Sequence, residues 1–191
     1  MKDVKYPLTI NLSRVYWWEE GSMKDSSAGV LHQSGLPERR GGRIKGETMP
    51  LPTIPDNIRL VLIRGLPGSG KTTLARAICG PHDVHLEADQ YFVGPDGNYR
   101  FDPRRNLALA HAWCQQEASS ALMRGDRVIV SNTFTRHWEM SKYLHCVNSN
   151  DVMVIVATGE FPNIHAVPDT TIAKMRARWE SFPGETVYCP D

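Results

Sequence analysis

The chain has few cysteines, no long apolar run and almost no net charge. Its four cysteines, Cys79, Cys114, Cys146 and Cys189, form no C-x-x-C pair and match no zinc-ligand spacing, which argues against a disulfide framework or a structural zinc site. Cys79 and Cys114 fall among apolar neighbours at helical spacing and read as buried free thiols, suited to a reducing compartment. No stretch approaches the ~18 apolar residues of a membrane span, and the N-terminus shows no apolar signal core. The expectation is a cytoplasmic protein (host cytoplasm if viral) with no membrane partner. Lys and Arg number 22 against 21 Asp and Glu, a formal charge of +1. No global field draws this chain to nucleic acid, so only local basic patches can do so.

What is present suffices for one core: 41% of the 191 residues are hydrophobic, and one folded domain is the expectation at this length. Residues 1–57 read as an N-terminal arm and linker, 58–183 as the domain and 184–191 as a C-terminal tail. Within the arm, Leu8 to Trp18 is apolar, whereas Gly21 to Pro55 is rich in Gly, Ser, Pro and mixed charge. That stretch is a plain linker, or a basic arm for DNA phosphates through Arg39, Arg40, Arg43 and Lys45. Trp17 and Trp18 either dock the arm or stack on bases.

From Ile58 onward, strand and helix patterns alternate. Strands are expected at Leu60–Ile63, Val84–Ala88, Arg127–Val130 and Val152–Ala157. Helices are expected at Lys71–Cys79, at Arg104–Arg124, after a cap at Thr135 with Trp138 and Leu144, and from Asp169 or Thr170 with Ile172, Met175 and Trp179 inward. This alternation predicts an α/β fold of the P-loop NTPase type, a parallel sheet with helices on both faces and ligands at the strands' carboxyl ends.

Gly65-Leu66-Pro67-Gly68-Ser69-Gly70-Lys71-Thr72-Thr73 is a complete G-x-x-x-x-G-K-[ST] loop, placed between a strand and a helix as the motif requires. Glycines let the backbone wrap a polyphosphate, and amide N–H groups and the helix N-terminus face the anion. Lys71 is placed to reach the β/γ-phosphates of ATP, and the Thr72 hydroxyl to ligate Mg²⁺. One strand later, Asp89 is either a general base for an attacking hydroxyl or a helix cap. The third strand ends Ser131-Asn132-Thr133, where a P-loop protein commonly presents an acid for Mg²⁺. Thr72, Asp89 and Asn132 are therefore the expected metal site. Arg176 and Arg178, with Arg136, Arg104 and Arg105 behind them, are candidate cations for the γ-phosphate or ordinary solvated residues.

Five motifs in order resemble the polynucleotide-kinase-like branch of P-loop kinases found in phages and repair proteins. They are Gly65 to Thr73; His85-Leu86-Glu87-Ala88-Asp89-Gln90-Tyr91-Phe92; Tyr99-Arg100-Phe101-Asp102-Pro103 with Ala110, His111 and Cys114; Ser131 to Thr135 with Glu139; and Asn163-Ile164-His165-Ala166-Val167-Pro168 with Ile172 and Met175. The resemblance covers residues 58 to 182. It implies that Asp89 activates the acceptor hydroxyl and that Asn163 and His165 belong to a lid over the nucleotide. Pro162 stands where such kinases often place an arginine. The chain also looks like phage kinases that phosphorylate 5-hydroxymethyluracil within DNA, which makes DNA the expected partner. The alternatives are a 5′-hydroxyl end, a nucleoside or a sugar as acceptor, or an ATP-binding switch without transfer. Tyr91, Phe92, Tyr99 and Phe101 either sandwich a base or pack in the core.

Overall fold

A computed structural model describes residues 49–98, 100, 107–162 and 167–190. The arm up to residue 48, Tyr99, Phe101, Arg104, Arg105, Asn163 and His165 lie outside the described residues. The strands are β1 (Leu60–Arg64), β2 (Val84–Leu86), β3 (Val128–Ser131), β4 (Val152–Ala157) and β5 (Thr186–Tyr188). They form one sheet in the order β2-β3-β1-β4-β5, with every neighbouring pair parallel. Because β1 lies between β3 and β4, the strand order reverses at its carboxyl end, the place where such sheets open a crevice for ligands. Gly65 starts there.

The helices are α1 (Lys71–Ile78), α2 (Leu107–Arg124), α3 (His137–Leu144) and α4 (Asp169–Ala177). Side chains alternate across the sheet, so each face has its own core. Leu60, Leu62, Val128, Val130 and Val154 meet Ala110, Cys114, Ala118 and Ala121 of α2 and Met140 and Tyr143 of α3. Val61, Ile63, Ile129 and Ile155 meet Leu74 and Ala75 of α1 on the other face. Ile172 and Met175 of α4 pack with Leu66, Val156 and Trp179, as their spacing predicts. Among the described residues, no helix is long and apolar enough to cross a membrane.

Several boundaries differ from the sequence expectation. The tail is not a tail: Thr186, Val187 and Tyr188 form β5 against Ile155–Ala157, and Tyr188 joins the core. A three-residue strand is too short to show alternation. β2 stops at Leu86, because Glu87 turns the chain into a 3-10 segment, Ala88–Phe92. The Glu87 N–H donates to Gln90 Oε1 at 3.2 Å, and the Gln90 N–H returns to the Glu87 carbonyl at 3.1 Å. The residue at the cap is thus Glu87, so Asp89 is not the cap considered from sequence. Arg136, not Thr135, occupies the cap position of α3, and Trp138 is exposed.

β1 ends in a fully buried charge that the sequence pattern did not flag. Arg64 Nε donates to the Phe134 carbonyl at 2.9 Å, and its two NH groups reach the Glu180 carbonyl at 2.7 Å and Glu185 Oε2 at 2.9 Å. The guanidinium lies 4.1 Å over the Trp179 ring. Burial lowers its pKa, and the Glu185 carboxylate opposes that shift. Arg64 thereby ties the strand that carries the phosphate loop to the segment before β5. It also holds Phe134, whose backbone sits in the left-handed region at φ 43. Glu185→Ala leaves the guanidinium buried without its counter-ion. We expect a loss of about 3–5 kcal/mol of stability, measured by urea unfolding, with Glu185→Gln losing less.

Candidate active site

The loop from Gly65 to Thr73 joins β1 to α1 and is anchored from behind. The Gly65 N–H donates to the Thr133 carbonyl at 3.2 Å, the Phe161 N–H to the Gly68 carbonyl at 2.8 Å and the Gly159 N–H to the Ser69 carbonyl at 3.1 Å. Gly68 and Gly70 adopt φ 78 and φ 84, a conformation that favours glycine. A Cβ on Gly70 would stand 2.8 Å from Phe161 Cε2, and one on Gly65 would stand 2.6 Å from the Ala157 carbonyl oxygen. The Leu66 side chain is buried against Val156 and Trp179.

Three observations fit this loop to a polyphosphate. Gly70 caps α1 with no side-chain bond, and no acid stands in the first turn, so the helix's outward amides carry an uncompensated positive end. The Ser69 hydroxyl is buried without a hydrogen-bond partner among the described residues. Lys71 is half-buried, with Nζ donating to the Leu66 carbonyl across the loop at 2.9 Å. Burial pulls its pKa down to about 8, against the opposing pull of the Glu87 and Asp89 carboxylates. The ammonium is still mostly charged near neutral pH.

Those two acids place the rest of the site. Asp89 lies in the first turn of the 3-10 segment, half-exposed and within electrostatic reach of Lys71 and of His111 on α2. His111 is held below the usual imidazole range by burial, which outweighs the opposing charges of Glu139 and Asp89. Ser131 Oγ donates to Glu87 Oε1 at 2.5 Å and His85 Nε2 stands 3.3 Å away, while Thr72 on the loop is close enough to favour the charged carboxylate. Burial raises its pKa, but these bonds outweigh that and hold the carboxyl below its ordinary range.

Other expected residues do different work. Asn132, expected at the metal, acts as a strut. It is buried, its Oδ1 accepts the Ala88 N–H at 3.0 Å, and its Nδ2 faces Cys114 Sγ at 3.7 Å. Its amide holds the 3-10 segment against β3 and α2. Arg178 donates from Nε to the Thr135 hydroxyl at 3.0 Å, and Thr135 in turn bonds the Glu139 carboxylate. Arg176 is exposed on α4. Among the described residues, no hydrogen bond or ion pair joins either arginine to the phosphate loop. Phe92 is core, whereas Tyr91 is half-buried, 5.6 Å from Phe92 and 6.1 Å from Trp113 between ring centres.

Glu87 was missed as a functional residue, although the missing acid on β3 next to an acid ending β2 was a usable sign. Among the described residues, no three His, Cys, Asp or Glu side chains gather into a metal cage. A Mg²⁺ ion shared with phosphate oxygens needs none.

The model of a family described as AAA domain matches residues 60–163, just over half of the chain. Human NEDD4-binding protein 2 is 34% identical over 137 residues, which are 64% of this chain and only 8% of that protein. A Chloroflexus aurantiacus protein assigned as a kinase has a similar fold: TM-score 0.51, 20% identity, 71% of this chain and 85% of that one. A gluconokinase from Sinorhizobium meliloti 1021 is more distant: TM-score 0.46, 14% identity, 68% of this chain and 81% of that one. The chain belongs to the AAA domain family, and it carries its phosphate loop on a five-stranded parallel sheet.

Proposed function

We propose that this chain is an ATP- and Mg²⁺-dependent kinase that transfers the γ-phosphate to a hydroxyl of DNA. The acceptor we favour is the hydroxymethyl group of 5-hydroxymethyluracil in phage DNA. The observation that carries the kinase reading is the juxtaposition of Asp89 and Lys71: a half-exposed carboxylate at the end of β2, in electrostatic reach of the phosphate loop. The DNA acceptor rests on the ordered motifs that resemble polynucleotide kinases, and on Tyr91, two residues past the acid, with the Trp113 ring 6.1 Å from its own.

In this reading the loop amides and Lys71 hold the β- and γ-phosphates, with Asn163 and His165 proposed to complete the nucleotide site. Asp89 accepts the proton of the acceptor hydroxyl as its oxygen bonds the γ-phosphorus, and the bond to the ADP oxygen breaks. Mg²⁺, when bound, neutralises the charge shared between β- and γ-oxygens. Thr72 contributes its hydroxyl to that ion. Arg176 or Arg178 is the proposed further source of positive charge.

The test is mass spectrometry of nucleosides after incubation with ATP and DNA containing 5-hydroxymethyluracil. The expected product is the phosphorylated hydroxymethyl nucleoside. Label appearing only on a 5′-hydroxyl oligonucleotide, a nucleoside or a sugar would move the acceptor. ATP binding without any product would leave a nucleotide switch.

A further inference from the structure

β3 of a P-loop protein commonly ends in an acid that, with the loop's hydroxyl residue, holds the divalent ion. Here it ends in Ser131 and the structural Asn132. The parallel pairing of β2 with β3 sets Leu86 opposite Val130, so the next residues, Glu87 and Ser131, stand side by side. Ser131 Oγ uses its single proton on Glu87 Oε1 at 2.5 Å. It must therefore accept from His85 Nε2 at 2.8 Å, which fixes the imidazole proton on Nε2. His85 Nε2 is also 3.3 Å from Glu87 Oε1, and the Glu87 side chain is only 14% exposed. The carboxylate is thus oriented from two strands, on the side of the phosphate loop that carries Lys71 and Thr72.

Resting on the kinase reading above, we propose that Glu87, supplied from β2, is the carboxylate that anchors Mg²⁺ with Thr72, in place of the acid absent from β3. His85 and Ser131 are its positioning residues.

Nucleotide affinity titrated with Mg²⁺, and Mn²⁺ paramagnetic resonance in the presence of ATP, test this without reading activity. In wild type, the divalent ion strengthens ATP binding. Glu87→Gln weakens the apparent Mg²⁺ and Mn²⁺ affinity by about tenfold or more, while ATP binding in EDTA is unchanged or tighter. Glu87→Gln with Ser131→Asp returns a carboxylate to β3 and recovers the metal response. Glu87→Asp keeps the charge with a shorter reach, and is read if the glutamine variant loses its circular dichroism; its metal affinity also falls. Wild-type metal response in a folded Glu87→Gln or Glu87→Asp protein overturns the assignment. Failure of wild type itself to bind ATP would instead sink the kinase reading.

Discussion

Lys71→Ala lowers phosphoryl transfer by about two to three orders of magnitude and leaves a folded domain. The magnitude is that of removing one preorganised group that stabilises transition-state charge. Lys71 sits at the first position of α1, where Nζ spans the loop to the Leu66 carbonyl. Its folded-state role is small: one hydrogen bond at the surface of the loop, so stability changes by no more than about 2 kcal/mol. Desolvation has lowered its pKa to about 8, so the protein holds an ammonium that is poorly hydrated and, among the described residues, lacks an ion-pair partner at hydrogen-bonding distance. Such a group gains most from an arriving phosphate. Single-turnover transfer from labelled ATP, with circular dichroism alongside, reads both halves of the expectation. Full transfer in the variant would remove the loop from the mechanism.

Asp89→Asn separates binding from chemistry. The amide keeps the shape of the carboxylate but cannot take a proton, so kcat falls by roughly 10²–10⁴-fold. The KM for ATP stays near wild type, because the loop, Lys71 and α1 are untouched. Asp89 also helps keep Lys71 protonated, so the comparison is made near pH 7, below that lysine's pKa. A fall in kcat matched by an equal loss of ATP affinity would assign Asp89 to nucleotide or metal binding instead. Steady-state kinetics with the best acceptor distinguishes the two.

The parts of this molecule legible from sequence are those encoded locally. Leu60 to Ile63 is an apolar run followed at once by the glycine loop, and Val152–Ala157 has the boundaries its composition predicts. The inward positions Ile172, Met175 and Trp179 follow helical spacing and stay together in the fold. What was hidden is non-local. Arg64 is explained only by partners far along the chain, the Phe134 and Glu180 carbonyls and Glu185, 121 positions away. Glu87 acquires its role because β2 pairs with β3, which brings Ser131 to it from 44 positions on. Asn132 reads as a site residue beside an empty acid position, yet its amide is taken by Ala88 and Cys114, contacts that exist only once α2 packs on the sheet. His111 entered the sequence reading only as part of a motif. Its electrostatic reach to Asp89 follows from α2 packing against the 3-10 segment through Ala110, Cys114, Ala88 and Phe92.

The most direct test follows the γ-phosphate itself. Wild type and Asp89→Asn are each saturated with Mg²⁺ and γ-labelled ATP, then mixed in single turnover with DNA carrying 5-hydroxymethyluracil, with a 5′-hydroxyl oligonucleotide, and with free nucleosides and sugars. Label moving to a hydroxyl of DNA in wild type, with Asp89→Asn binding ATP but transferring almost none, is the predicted result. Tight ATP binding by wild type with label on none of these acceptors would contradict it.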